Sequence, residues 1–449
     1  MPSKGMSMLR IVCALMTALC LLGTEAFAVQ PKAIGYPRLM QGAMIGAVHP
    51  DRVLIWARVS GPFRVRAELA RDRGFDDIVA AVERRASKAD DYCLTLPVTG
   101  LDPDTSYYYR VLVEDKVDRY WRDRPFPSLK TAPEGPARFS LAMGSCARFS
   151  LDRVQPIWTA MADRSPDLFF WLGDNIYGDA LDADILAEEY RRQRDLESYQ
   201  PVMHTIPQLA VWDDHDFGIN DWDKSHPTKA DALEVFKQYW ANGSYGTSST
   251  PGTFFTYSYG GVDFFMLDGR YHRDRNSVPD GPNKTMLGEG QLEWLLEGLR
   301  GSSAAFKVLV CGSGWTLQKG PEGDSWSAFR TERDALFATI MRERISGVVL
   351  ISGDTHMSEL NVIRLGDADG YDLYELVSSP LAQRPSGRNR ALSGNEERVY
   401  PAYRLSPNFG LVEFDMTVPD PVLRYNLVDV WNRDVWEPFE LRASQLRAP

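Results

Sequence analysis

The chain has 449 residues, 44% of them hydrophobic and 25% charged, and a formal net charge of −11. This composition excludes wholesale disorder, and the length allows two or three domains with sizeable cores. The acidic balance excludes a general nucleic-acid binder, which gains affinity from a basic surface, but leaves room for a local pocket that takes a phosphate ester.

The first 28 residues read as an address. Lys4 and Arg10 give a positive start, residues 11–22 are apolar apart from Thr17, and Ala26-Phe27-Ala28 is a small-x-small cleavage site. A signal peptide over 1–28 and export to the periplasm or the exterior are therefore expected. The apolar run is too short for a comfortable membrane span, and no later stretch would serve as a transmembrane segment. Cys13 and Cys20 leave with this segment, so Cys93, Cys146 and Cys311 remain. An odd number leaves at least one thiol unpaired. Whether Cys93 pairs with Cys311 stays open, whereas Cys146 has the neighbours of a thiolate metal ligand.

Residues 36–132 read as an all-β domain that could fold alone. Short strands are expected at 41–47, 53–59, 65–69, 92–98 and 106–113, separated by turn-rich pieces. Gly100-Leu101-x-Pro103 followed by Tyr107-Tyr108-Tyr109-Arg110 resembles the tyrosine corner of a fibronectin type III or immunoglobulin-like sandwich. Thr131-Ala132-Pro133-Glu134-Gly135-Pro136 breaks either periodicity and reads as a linker.

From 137 to 449 strands and helices alternate. Strands are expected at 139–143, 167–172, 208–212, 307–311 and 347–352. Helices are expected at 154–164, 183–195, 229–240, 289–300 and 326–344. A hairpin turns at Gly260-Gly261. The pattern is that of a mixed α/β sandwich with sheets inside and helices outside.

Four of these strands end on residues that carry chemistry. They run into Gly144-Ser145-Cys146, Gly173-Asp174-Asn175-Ile176-Tyr177, Asp213-Asp214-His215-Asp216 and Gly353-Asp354-Thr355-His356. Open α/β folds place their sites at such strand ends, and a collection of Asp, His, Cys and Tyr points to one dinuclear metal site. Asp174 can bridge two cations, one per oxygen. Of Asp213 and Asp214, one can be a ligand while the other holds the loop, because neighbours on a strand face opposite ways. His215, set among acids, can serve as a general acid. Asp354 and His356 can face one point if the chain bends past Gly353.

Gly-Ser-Cys, Gly-Asp-x-x-Tyr, Asp-Asp-His and Gly-Asp-x-His, in that order, resemble the blocks of the metallophosphoesterases, and among them the alkaline phosphatase D (PhoD-like) branch. Residues 252–273, with Gly261-Val262-Asp263-Phe264-Phe265 leading into Leu267-Asp268-Gly269-Arg270, and the β-rich leader match that branch as well. The resemblance implies a four-layer α/β (α+β) sandwich of the metallophosphoesterase type over 137–449. It implies a phosphoesterase acting through a metal-activated water or oxo nucleophile. Cys146, Asp174, Tyr177 and His356 would hold ferric iron. Asp174 would bridge to a second site with Asp214 and Asp354, taking calcium. His215 would be catalytic, and Asn175 and Arg270 would bind the substrate. One superfamily histidine is missing, since Gly312-Ser313-Gly314-Trp315 follows the 307–311 strand. The oxygen-rich second site that results favours calcium over zinc. Monoester, diester and phospholipid substrates remain open, the last through a phospholipase D-type phosphodiesterase. A calcium-dependent glycosidase and a non-catalytic, calcium-stabilised β-sandwich binding protein are the competing classes. The ordered Gly-Asp blocks argue against the first, and Cys146 and His215 against the second.

Overall fold

A computed structural model describes residues 35–117, 126–365, 370–387 and 397–448. The expected signal peptide lies outside the described residues. No helix among them is long and apolar enough to cross a membrane.

The N-terminal part is all β. One sheet pairs Leu39–Val48, Arg52–Val59 and Cys93–Thr99; the other joins Ile78–Arg85, Arg64–Ala70, Ser106–Val113 and Lys116–Val117, with Ser128–Lys130 also on Ser106–Val113. The tyrosine corner closes as its sequence implies, with the Asp102 amide donating to the Tyr107 hydroxyl at 2.9 Å. The strand Ile78–Arg85 was not expected. It is an edge strand, mostly exposed and charged at its end, so it lacks the apolar alternation that marks a half-buried strand.

This leader does not stand apart. From Gln41 to Val48 every residue of its first strand is buried, which no strand at the surface of a free sandwich would be. The Ala47 amide donates to the Ala241 carbonyl at 2.9 Å, the Trp56 indole to that of Gln238 at 2.7 Å, and the Tyr109 hydroxyl to that of His204 at 2.7 Å. One continuous apolar core runs through both parts.

The remainder is built on two six-stranded mixed sheets. The first has the order Gln208–Val211, Leu168–Leu172, Arg138–Gly144, Asn408–Asp415, Val422–Asp429, Phe439–Arg442. The second runs Phe255–Tyr259, Val262–Met266, Phe306–Val310, Val348–Ser352, Leu373–Val377, Glu359–Ile363. Period-two alternation explains how Leu168–Leu172 is buried throughout. Phe170 faces the second sheet and meets Phe264 edge-on at 4.9 Å. Phe169 and Trp171 face outward, where Trp158 of the helix Ile157–Arg164 covers them at 5.8 and 5.0 Å. On the far side Phe264 points in, while Phe265 meets Trp294 of the helix Glu289–Gly301.

Parallel pairing sets the site. Arg138–Gly144, Leu168–Leu172 and Gln208–Val211 run parallel in one sheet, and Val262–Met266, Phe306–Val310, Val348–Ser352 and Leu373–Val377 in the other. Their C-terminal ends deliver the loaded loops to one edge of the sandwich.

Candidate metal centre

The strand ends close on one another through the backbone. The Cys146 amide donates to the Gly173 carbonyl at 3.3 Å, and the Ala147 amide to that of Asp174 at 3.0 Å. The side chains then leave from unusual backbone. Cys146, Asp174, Asp354 and His356 all adopt positive φ, of 63°, 49°, 64° and 53°. Non-glycine residues seldom occupy this region, and a cluster of them stores strain where several chains must turn toward one point. Gly173 is required as well. Its φ is +87°, and a Cβ there would lie 2.6 Å from the Cβ of Asp213.

Four expected ligands meet at one end of the site. Asp174 Oδ2 lies 3.4 Å from Cys146 Sγ and 3.3 Å from the Tyr177 hydroxyl, which is 3.2 Å from His356 Nε2. Cys146, Asp174 and His356 offer donor atoms all within 4.8 Å of one another. Two hydroxyls hold this cluster from behind. Ser145 Oγ accepts from the Asp354 amide at 3.1 Å and Ser379 Oγ from the His356 amide at 3.0 Å, and Ser379 Oγ also reaches Cys146 Sγ at 3.3 Å. Ser145 thus holds the Asp354 loop, and Ser379 carries no sequence signal.

Asp174 links this end to the other. Its Oδ1 is buried without a hydrogen-bond partner, and so is Oδ1 of Asp214. Asp174, Asp214 and His215 form a second group of metal-binding size, and Asp214, Asp221 and Asp324 a third. Asp214 and Asp213 part company as expected, though by another route. Asp213 caps the short helix Asp214–Phe217 and turns its carboxylate to Arg270, leaving Asp214 to face the cleft. Asp354 lines the cleft but pairs with Lys319.

The electrostatics favour a cation. Burial and the Asp354 carboxylate push the Cys146 thiol up to about 12. Burial with Cys146 and Asp214 raises Asp174, and burial with Cys146 and Asp174 raises Tyr177. Their anions are disfavoured by the protein alone, and a polyvalent cation at their common point reverses that. The orphaned carboxylate oxygens and the thiol, phenol and imidazole donors therefore fit a metal centre.

His215 has a partner that the sequence did not disclose. Its Nδ1 lies 2.5 Å from Asp179 Oδ1, and its ring packs on Tyr177 with centroids 4.1 Å apart. Burial opposes a charged imidazole, yet Asp174, Asp179 and Asp214 raise its pKa to about 10. Asp179 is readable only as one more acid in a Gly-Asp turn.

The expected substrate groups sit elsewhere. Arg270 is fully buried, forked on Asp324 at 3.0 and 2.5 Å and paired with Asp213, and it stays 3.7 Å from Asp214. Its charge is spent beneath the carboxylates. Asn175 is buried too, its amide donating to the Val211 carbonyl at 2.9 Å. Neither lines the cleft of about 490 Å³ whose walls include Asp174, Asp214, His215, Lys319, Asp354 and His356. A larger cleft of about 790 Å³, on the leader around Arg38, Tyr92 and Lys116, gathers no such donors. Cys93, Cys146 and Cys311 are all free and buried, so Cys93 and Cys311 form no disulfide.

The description "PhoD-like phosphatase" matches residues 141–417, and "PhoD-like phosphatase, N-terminal domain" matches 25–133. The chain belongs to the PhoD-like phosphatase family. A curated relative, alkaline phosphatase D of Bacillus subtilis (strain 168), is 25% identical over 392 residues, 73% of this chain and 66% of that protein's length. Two solved structures share the fold. PhoD aligns with a TM-score of 0.74 at 20% identity, covering 91% of this chain and 94% of its own. A purple acid phosphatase from yellow lupin (Lupinus luteus) seeds aligns at 0.61 and 12% identity, covering 91% and 74%. The architecture is thus that of the metallophosphoesterases behind a β leader, as the PhoD-like blocks imply. The family makes the chain a phosphatase-type hydrolase.

Proposed function

We propose that this PhoD-like chain is an exported, metal-dependent phosphoesterase with a ferric ion held by Cys146, Asp174, Tyr177 and His356 and calcium held by Asp174, Asp214 and Asp354. The observation that carries this reading is the meeting of thiol, phenol, carboxylate and imidazole within hydrogen-bonding distance at the end of a carboxylate-lined cleft. Export rests on the sequence of the first 28 residues.

When bound, the ions would supply Lewis-acid charge for the phosphoryl oxygens and an activated water. The chain's own residues supply the rest. Cys146 and Tyr177 would hold the iron as anionic donors in a buried pocket, which would favour its higher oxidation state. Asp174, with one oxygen turned to Cys146 and Tyr177 and the other free, serves both halves. Asp179 orients His215, and its carboxylate favours the imidazolium that can give its proton to the departing ester oxygen. The Tyr177 ring against His215 limits its rotation. Ser145 is no nucleophile in this reading, because its hydroxyl is engaged by the Asp354 amide and the Ser378 carbonyl.

The test is hydrolysis of aryl and alkyl phosphate monoesters and diesters by the purified protein, with its metals quantified. Turnover that vanishes on chelation and returns with calcium is the expected result. A protein that binds neither iron nor calcium, or that cleaves none of these esters when loaded, overturns the proposal.

A further inference from the structure

We infer that Lys319 is a built-in counterion of the second cation site: its ammonium holds Asp354 until a divalent cation displaces it, and it thereby sets that cation's affinity. The inference rests on the calcium reading of Asp214 and Asp354 given above.

Lys319 is the lysine among the residues that line the cleft. Its ammonium pairs with Asp354 Oδ2 and donates to the Asp324 carbonyl at 2.9 Å. Both side chains of the pair are mostly withdrawn from water, 14% and 16% exposed, so their attraction is only partly screened. The loop is shaped to deliver this lysine. Successive turns run from the Gly320 amide to the Leu317 carbonyl at 3.1 Å and from the Gly323 amide to the Gly320 carbonyl at 3.0 Å. Gly323 then lies so close that a Cβ there would fall 2.3 Å from the Cβ of Lys319. The preceding Gln318 is tied to Glu359 at 2.9 Å.

The charge pattern explains what this does. Arg270 and Arg273 neutralise Asp324 from beneath, at 2.5 and 2.7 Å, and among the described residues no such arginine pairs with Asp354. Asp354 instead takes its positive partner from a loop at the cleft wall, the side from which a cation or a substrate arrives. A divalent cation and this ammonium need the same carboxylate, so binding one releases the other. The cost of that release lowers calcium affinity, and the pair itself steadies the acidic cleft when the cation is gone.

The experiment is calcium titration of the metal-depleted protein by calorimetry, with thermal melting in parallel, for wild type, K319M, K319R and D354N. K319M should bind calcium about three- to tenfold more tightly, the scale of one partly buried ion pair removed from the competition. Its calcium-free form should melt lower than wild type, and calcium should raise its melting temperature by more. K319R keeps the competing charge and should stay near wild type, whereas D354N should weaken calcium binding. Equal or weaker affinity in K319M, with D354N weakened, overturns the counterion role and leaves the calcium site standing. Absence of calcium binding by the wild type overturns the calcium reading and the counterion role with it.

Discussion

The two ends of the cleft solve the same problem in opposite ways. At one end Cys146, Asp174, Tyr177 and His356 crowd together, supported by the hydroxyls of Ser145 and Ser379. At the other end three carboxylates have a protein cation nearby: Asp213 and Asp324 have Arg270, and Asp354 has Lys319. Despite burial, Arg270 and Arg273 hold the Asp324 carboxyl far below its ordinary range. At the first end the thiol, carboxyl and phenol become anions only when a metal takes the place of their protons. An end that carries its own counterions can lose the metal and persist. The first should therefore bind its ion as a fixed part of the structure, and the second should exchange it.

The bluntest way to break the comparison is to remove what both ends stand on. A chain beginning at Ala137 would expose the surface that the strand Leu39–Val48 covers, with the partners of Trp56 and Tyr109 left open. We expect it to lose the cooperative melting transition of the full chain. A sharp transition in that shortened chain would show the leader to be dispensable for folding.

Asp174→Asn should be the most damaging point change, because the proposed centre has Asp174 serve both ends. Iron and calcium content should fall together and turnover by at least about 10²-fold, a loss of several kcal/mol of transition-state stabilisation. Loss of one metal alone, measured by elemental analysis, would assign Asp174 to a single end.

His215→Ala should leave both metals in place and cost roughly 10²- to 10⁴-fold in rate, more for alkyl than for aryl esters. Equal losses on the two ester types would remove His215 from leaving-group protonation.

The smallest effect concerns the wall that carries the Lys319 loop. Glu375 accepts from the Trp315 amide at 2.7 Å and from Ser352 at 2.6 Å. Burial raises its pKa from 4.5 to about 7, only partly offset by those hydrogen bonds. The folded state therefore holds this proton more tightly than the unfolded chain. The resulting stability is complete below about pH 4.5 and is lost as pH rises through about 7. Glu375→Gln keeps the acceptor for Trp315 and should flatten the fall in melting temperature across that window. Parallel curves for the two proteins would mean that Glu375 does not titrate there.

Much of this was legible in the sequence because it is local. A strand that ends in Gly-Asp or Gly-Ser-Cys advertises itself, and the order of four such ends carried the family and the fold together. What was not legible depends on pairings across long separations. Asp179 meets His215 across 36 residues, and Lys319 meets Asp354 across 35. Neither has a fixed spacing to read. The burial of Arg270 was hidden for the same reason. A basic residue in a motif next to an expected phosphate site reads as an anion binder, but Asp324, 54 residues on, claims its fork. The short helix Asp214–Phe217 was also hidden, since four residues are too few to show a period.

The central claim is that the first end is a ferric centre with a phenolate ligand, and one measurement tests it most directly: the visible spectrum of the purified protein, wild type and Tyr177→Phe, alongside its metal content. The account predicts iron in the wild type and a charge-transfer band that survives removal of calcium and is shifted or bleached by Tyr177→Phe with the fold intact. A colourless, fully active protein containing only zinc would contradict it.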